Sequence, residues 1–205
     1  MTGMTEVTEV TGVSGAATGA VAGRPLVVGL GSPDRGDDAV GPVVGRALAA
    51  HHLPGVDVVA HEDPTDLVEL WSGRELVVVV DAVRSGSEPG TLVVVETGAG
   101  GERLPESAWG RTGRGGTHSF GLASAVELAR ALRRLPRRVV LVGVEARSFD
   151  HGAPLSAPVA AAVPAALEAV LAMVLGGRLV VAASPRPHAE PESRRGREGA
   201  DGVPG

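Results

Sequence analysis

Residues 27–41 read VVGLGSPDRGDDAVG, and three kinds of local pattern follow one another within this stretch. The apolar run Leu26–Leu30 is typical of a strand that is covered on both faces. Gly29 lies within this run and Gly31 directly follows it, and glycine lets two backbone segments approach each other closely. A helix with one apolar stripe is then predicted to begin near Asp38. This order places the turn at the carboxyl edge of a parallel sheet, where α/β proteins bind their ligands.

The rest of the chain alternates between strand-like and helix-like segments. The nine residues between the third and fourth strands are too few for a parallel crossover, so the fourth strand is predicted to run antiparallel to the third. The sequence therefore predicts an α/β three-layer sandwich. Its twisted five-stranded sheet is mostly parallel, with one antiparallel strand and helices on both faces. The predicted strands are 25–30, 56–60, 75–81, 91–97 and 138–144, and the predicted helices are 38–50, 64–72, 122–132 and 156–175.

The longest apolar stretch, Leu155–Leu175, coincides almost entirely with the last predicted helix and approaches the length of a membrane span. It also contains two prolines and Glu168, and its larger apolar residues fall on one stripe. A half-buried helix of a soluble protein is therefore predicted. Pro164 is expected either to kink this helix or to mark its true start.

Composition limits both the architecture and the chemistry. The 205 residues suit one domain, predicted at 24–178, between a disordered leader at 1–23 and a disordered tail at 183–205. Cysteine and lysine are absent, which excludes disulfides, a cysteine nucleophile and lysine-based phosphate or Schiff-base chemistry. The net charge of −5 argues against a nucleic-acid surface. Because no secretory signal is recognised, a cytoplasmic location is predicted.

Two aspartates stand at the predicted start of the first helix. Asp37 is predicted to be the N-cap, and one carboxylate is enough to stabilise the positive helix end by ~0.3–1 kcal/mol. Asp38, the second, adds repulsion unless a cation or a donor lies opposite. Asp81 follows the four valines Val77–Val80, and in a strand order of 2-1-3 the third strand ends beside the first. Asp38 and Asp81 are therefore predicted to face one crevice.

His118 lies within the sequence GGTHSFGL at the start of the third predicted helix. The positive end of a helix disfavours imidazolium, so a neutral ring that can bind a metal ion is expected. Asp38, Asp81 and His118 together would be an oxygen- and imidazole-rich set suited to a borderline divalent ion such as nickel or zinc. Each residue alone also has an ordinary explanation as a cap or an exposed side chain. Only the predicted topology, which brings the three together, indicates a site.

Other polar residues near this edge are weaker candidates. His61, Glu62 and Asp63 follow the second predicted strand and would either line the same crevice or be solvated. Glu145 ends the fifth predicted strand and would either support the site or cap a helix. Asp150 and His151 lie in a later loop and are assigned no role.

Two alternative chemistries have less support. Ser32, and Ser119 beside His118, suggest a serine hydrolase, but the chain has no G-x-S-x-G elbow. The stretch GLGSPDRG is similar to a dinucleotide-binding fingerprint in which Asp34 stands in place of the third glycine. Nucleotide binding therefore stays an alternative without further support.

Taken in chain order, several motifs resemble the hydrogenase maturation proteases, the small endopeptidases that trim the C-terminus of a [NiFe]-hydrogenase large subunit. The resemblance covers about residues 25–175. The family's opening pattern, G-x-G-N-x-x-x-x-D-[DE]-G-x-G, is matched by Gly29, Gly31, Asp37, Asp38 and Gly41. The later motifs are Asp81–Ala82 at a strand end, Pro89–Thr91 in a turn, Thr117–His118 before a helix, Gly143–Ala146 for G-[IV]-E-P, and Leu155–Pro158 at the last helix start. Three positions depart from the pattern: Ser32 replaces Asn, Ala39 replaces Gly and Ala146 replaces Pro.

The resemblance implies an endopeptidase that removes the C-terminal extension of a [NiFe]-hydrogenase large-subunit precursor after nickel insertion. Asp38, Asp81 and His118 are then the expected catalytic and metal-contacting residues, and nickel is expected to be carried by the precursor. The absence of an H-E-x-x-H motif agrees, because that motif marks a resident zinc. The expected partner is the precursor, without nucleic acid or membrane. The three departures leave one alternative, a non-catalytic metal-binding assembly module for the same precursor.

Overall fold

The computed structural model describes residues 23–101, 104 and 121–176. Residues 1–22 of the predicted leader, the predicted tail 183–205, His118 and Ser119 lie outside the described residues. One five-stranded sheet with order β2-β1-β3-β5-β4 organises the fold. Its strands are β1 (Leu26–Leu30), β2 (Asp57–His61), β3 (Leu76–Val83), β4 (Leu92–Thr97) and β5 (Arg138–Glu145).

Four of the five strands are parallel and β4 is reversed. The predicted three-layer α/β sandwich with a mostly parallel sheet is therefore confirmed. β1 pairs with both β2 and β3, as the predicted order 2-1-3 requires. β4 runs opposite to β3 as predicted, but its hydrogen-bonded neighbour is β5, which occupies the position beside β3.

The side chains of the sheet alternate between two apolar layers. In β3, Val77 and Val79 pack on one face and Val78 and Val80 on the other, and all four are completely buried. Strands covered on both faces need apolar residues at every position, which explains why β1 and β3 read as continuous apolar runs. The first face carries α2 (Leu67–Leu70) and α3 (Leu122–Ala131), and the second carries α1 (Val40–Ala49) and α4 (Ala157–Val174).

Two predicted helices are shorter than expected. The segment predicted as helix 38–50 divides into a 3-10 turn, Gly36–Ala39, and α1, and Asp37 is inside the turn instead of capping it. The segment predicted as helix 64–72 divides into the 3-10 turn Pro64–Asp66 and the single turn of α2. Asp63 caps that second turn, because its carboxylate accepts a hydrogen bond from the Thr65 N–H at 2.8 Å.

α4 begins at Ala157 and continues through Pro164, so the prediction that Pro164 marks its start is wrong. By length and composition alone, α4 qualifies as a membrane span within the described part of the chain. Its predicted apolar stripe nevertheless faces the sheet, because Val159, Ala166 and Val170 are completely buried there. This agrees with the predicted role of a half-buried core helix.

The start of α1 touches β1 through main-chain atoms at two glycines. A Cβ atom at Gly29 would be closer than 2.5 Å to the carbonyl oxygen of Gly41, and one at Gly41 would be as close to that of Leu30. Real Cβ atoms do not approach oxygen so closely, so only glycine fits at either position. This contact fixes the depth at which the 3-10 turn with Asp38 lies against the sheet.

Gly45, one turn further along α1, provides a contrasting prediction. A Cβ atom there would meet Gly29 Cα at 3.8 Å, Gly29 N at 3.9 Å and Val58 Cγ1 at 4.0 Å, which are ordinary contacts. Glycine inside a helix costs about 0.5–1 kcal/mol relative to alanine. Gly45→Ala is therefore expected to raise the free energy of unfolding by that amount and the melting temperature by about 1–4 °C. Thermal and urea unfolding test this, and a lower melting temperature would mean that α1 has no room for the added methyl group.

Candidate active site

Asp38 and Asp81 meet at the carboxyl edge of the sheet. Asp38 lies in the 3-10 turn that follows β1, and Asp81 directly follows Val80 in β3. The two strands are adjacent, with Gly29 opposite Val80, so their ends open into the same crevice. Both carboxylates are buried, with exposed fractions of 8% for Asp38 and 5% for Asp81. The structure thus brings together these two of the three predicted site residues.

The Asp38 side chain is held by the glycine-rich turn. The Ser32 N–H donates a hydrogen bond to Asp38 Oδ2 at 3.0 Å. Because the donor is a main-chain group, the serine that replaces the family's asparagine keeps this contact. Gly31 has a φ of 124°, and a Cβ atom there would lie closer than 2.5 Å to the Asp38 carbonyl oxygen, so a side chain at Gly31 would collide with Asp38.

The environment disfavours the charged form of both carboxylates. Burial raises the pKa of Asp38; the Ser32 hydrogen bond and the Arg35 charge oppose this shift, and Glu62 adds to it. Burial also raises the pKa of Asp81 well above its ordinary value, and the charge of Asp38 raises it further, against a hydrogen bond from the Ala82 N–H. Adjacent buried carboxylates of this kind are stabilised by an added cation, because it compensates both the desolvation and the mutual repulsion.

The donor chemistry of this pair fits a divalent metal ion, for which carboxylate oxygens are good ligands. Across the described ranges, no group of three or more His, Asp or Glu side chains is arranged to hold such an ion. Asp38 and Asp81 therefore supply two of the three predicted ligands. The third, His118, lies outside the described residues.

Asp37 has a different function from its neighbour Asp38. It is completely buried, and its carboxylate accepts hydrogen bonds from the N–H groups of Arg147 (2.7 Å), Ser148 (3.0 Å) and Ser156 (2.6 Å) and from Ser156 Oγ (2.9 Å). Although burial by itself would raise the pKa of Asp37, these hydrogen bonds lower it below its ordinary value. Asp37 therefore joins the 3-10 turn to the loop between β5 and α4.

Glu145 makes a similar clamp at the end of β5. Its buried carboxylate accepts hydrogen bonds from the Ser85 N–H (2.8 Å), Ser85 Oγ (2.7 Å) and the Gly86 N–H (3.0 Å). These groups belong to the turn after β3, so Glu145 fixes the chain that leaves Asp81 and does not cap a helix. This agrees with the first of its two predicted functions, support of the site.

The weaker candidates have separate surroundings. His61 Nδ1 lies 3.3 Å from Asp66 Oδ2. Glu62 is exposed, and its charge acts on Asp38. Asp150 accepts a hydrogen bond from Ser148 Oγ in the β5–α4 loop.

The geometry of the turn argues against the nucleotide-binding alternative. In a phosphate-binding turn, free main-chain N–H groups at a helix start point to the phosphate. Here the Ser32 N–H is used by Asp38, and the following 3-10 turn carries Asp37 and Asp38, whose charges repel a phosphate.

The other two departures from the family pattern are also accommodated, because Ala39 has an ordinary helical backbone and the Ala146 N–H bonds to the Val83 carbonyl.

A groove beside Asp38 is lined by residues from separate segments of the chain. It has a volume of about 340 Å³ and is lined by Gly31, Pro33, Pro42, Arg46, Ala60, His61 and Glu62. His61 and Glu62 were predicted near the crevice, whereas Arg46 was not, because a single arginine on a helix carries no local signal. The groove shares Gly31 with the turn that holds Asp38.

Comparison with known proteins gives one family and a consistent set of structures. Residues 46–173 match the family described as HycI, hydrogenase maturation protease. The hydrogenase maturating endopeptidase HybD from E. coli is similar at 26% identity and a TM-score of 0.61, with 75% of this chain and 93% of that chain covered. A [NiFe] hydrogenase maturation protease HybD from Thermococcus kodakarensis is similar at 27% identity and a TM-score of 0.53, with 74% and 99% covered.

A hydrogenase 2 maturation peptidase from the Thaumarchaeota archaeon SCGC_AB-539-E09 is similar at 28% identity and a TM-score of 0.51, with 75% of this chain and 98% of that chain covered. No curated protein matches the chain.

Proposed function

The chain belongs to the hydrogenase maturation protease family, and from this premise we propose how its carboxyl-edge site serves the activity of that family. The protein is an endopeptidase that processes the large-subunit precursor of a hydrogenase. We propose that it acts in the cytoplasm and cleaves after nickel has been inserted into the precursor. This cleavage releases the C-terminal extension of the precursor. The observation that carries the proposal is the buried pair of carboxylates, Asp38 and Asp81, at one edge of the sheet.

In this proposal the nickel ion belongs to the substrate. Asp38 and Asp81 contact the nickel of the docked precursor and thereby bring the peptide bond to be cleaved beside the pair. An ion of charge +2 offsets the repulsion between the carboxylates, so precursor that carries nickel binds better than precursor without it. Cleavage adds one water molecule: the C–N bond breaks, hydroxyl goes to the carbonyl carbon and a proton goes to the departing nitrogen.

We assign His118 as the third group of the site from its position in the chain. α3 is joined by a short turn to the start of β5, at the amino edge of the sheet, and Arg130 near its end bonds to the Gly98 carbonyl at the end of β4. The first residue of α3, Leu122, therefore faces the carboxyl edge. His118 precedes Leu122 by only four residues in the chain, which supports assigning it to the same edge.

The test compares nickel-loaded and nickel-free precursor mixed with the purified protein, with the intact mass of the precursor as the readout. We expect only the nickel-loaded precursor to lose the mass of its C-terminal extension. Equal cleavage of both forms would contradict nickel recognition, and cleavage of neither would contradict the protease assignment for that precursor. A stable complex with an unchanged precursor mass would favour the non-catalytic assembly module.

A further inference from the structure

The groove next to Asp38 has the size and position of a peptide-binding site. Its volume of about 340 Å³ is at the lower end of the range for ligand sites, about 300–1,000 Å³. Its uncharged walls, Gly31, Pro33, Pro42 and Ala60, are small or rigid residues. Such a surface leaves room for a ligand and loses little conformational entropy when the ligand binds.

The two ends of this groove differ in charge. Glu62 lies near the carboxylate pair, since its charge acts on Asp38. Arg46 lies further along α1; it is exposed, and no hydrogen bond or ion pair engages its guanidinium among the residues that the structure describes. A bound peptide would therefore meet negative charge next to the pair and an available cation at the other end of the groove.

The geometry points to Arg46 as the group that binds a carboxylate of the precursor segment next to the scissile bond. This inference rests on the proposed function and adds a determinant of substrate choice to it. Arg46 follows Asp38 by eight residues, which is about 12 Å along a helix at 1.5 Å per residue. An extended peptide rises about 3.3 Å per residue, so the acidic residue is expected about three to four residues from the scissile bond. A guanidinium suits this role because it can donate two parallel hydrogen bonds to one carboxylate.

The experiment measures cleavage of nickel-loaded precursor by Arg46→Gln and Arg46→Glu proteins. We expect kcat/KM to fall about five- to tenfold for Arg46→Gln, mainly through KM, and further for Arg46→Glu, because its charge is reversed. Arg137→Gln is the matched control: Arg137 is exposed at the opposite edge of the sheet, so its kcat/KM is expected to stay unchanged. Equal melting temperatures of all four proteins exclude an effect of folding.

The same assay, with altered precursors, identifies the acidic residue that Arg46 binds. Each acidic residue of the precursor within about five residues of the scissile bond is replaced in turn by glutamine. Replacement of the residue that pairs with Arg46 should lower the kcat/KM of wild-type protein by the same factor as Arg46→Gln does. When the Arg46→Gln protein acts on this altered precursor, kcat/KM should fall no further than with either change alone. An arginine at the same precursor position should restore cleavage by the Arg46→Glu protein.

Two results would overturn the inference while wild-type protein still cleaves. The first is an unchanged kcat/KM for Arg46→Glu. The second is that, for every precursor replacement, the loss of transition-state binding energy adds to the loss caused by Arg46→Gln, so that no precursor residue is coupled to Arg46. If wild-type protein does not cleave the nickel-loaded precursor at all, the proposed function fails and this inference fails with it. The two failures are thus distinguished by the wild-type reaction.

Discussion

The Asp81→Asn variant is expected to lose precursor cleavage by about 10³-fold while it unfolds at a higher temperature than the wild type at pH 7. The loss follows if Asp81 contacts the nickel-bearing substrate, because asparagine has nearly the same shape but no charge. The gain in stability follows from burial, because removing an ionised carboxylate from water beside a second carboxylate costs more free energy than burying a neutral amide. We expect a gain of about 1 kcal/mol, or about 2–4 °C in melting temperature.

The stability difference between wild type and Asp81→Asn should depend on pH. Because the pKa of Asp81 is raised in the folded state, the folded protein binds this proton more tightly than the unfolded chain does. Wild-type stability therefore falls as the pH rises from the ordinary value of 3.8 through the raised pKa. The variant lacks this decline, so the two proteins should have similar melting temperatures at low pH and diverge as the pH increases.

Asp34→Asn is the matched control for Asp81→Asn. Asp34 belongs to the glycine-rich turn near the site, but its side chain is exposed and makes no hydrogen bond or ion pair with the other described residues. Cleavage and melting temperature should both stay at wild-type values. The interpretation of Asp81 would be contradicted by an Asp81→Asn protein that cleaves at the normal rate, or by one that is less stable than the wild type at neutral pH.

The Asp37→Ala variant is expected to be destabilised by about 3–4 kcal/mol, although Asp37 is the direct neighbour of Asp38. The substitution leaves the N–H groups of Arg147, Ser148 and Ser156 without their acceptor. At about 2–4 °C per kcal/mol, the melting temperature should fall by roughly 10 °C. Ser156→Ala removes only the Oγ contact of this group, so it should cost about 1 kcal/mol.

The pH dependence of Asp37 has the opposite sign to that of Asp81. Hydrogen bonds lower the pKa of Asp37, so its contribution to stability is complete above 3.8 and is lost as the pH falls through the lowered pKa. Wild type and Asp37→Ala should therefore become more alike in acid. Urea unfolding at several pH values separates the two aspartates. A difference that grows as the pH falls would contradict the proposed hydrogen-bonded, charged state of Asp37.

The layered fold could be predicted because its signals are local. The run Val77–Val80 has no polar position and is rich in β-branched residues, so it favours a strand that is covered on both faces, and the spacing of apolar residues in α1 favours a helix with one buried stripe. The short segment 82–90 likewise excluded a parallel crossover. The position of β4 was not predictable in this way. It depends on β5, which pairs with both β3 and β4 but follows β4 by 40 residues in the chain.

The meeting of Asp38 and Asp81 could be predicted because strand order and register alone bring their positions together. The division of labour between Asp37 and Asp38 could not. It depends on a turn of 3-10 geometry and on donors more than 100 residues away, at Arg147, Ser148 and Ser156. No local pattern tells which of two adjacent carboxylates points to a distant loop. The groove with Arg46 was missed for the same reason, since its walls come from three separate segments.

The contact between Gly29 and Gly41 has a consequence for how this scaffold tolerates sequence drift. Valine, leucine and isoleucine can replace one another in the two apolar layers, and a core usually adjusts to such exchanges by small shifts of its helices. The start of α1 has no such freedom, because main-chain atoms rest directly on β1 there. Divergent homologues and laboratory variants with repacked interiors should therefore retain the same spacing between the two acidic groups, as long as both glycines persist.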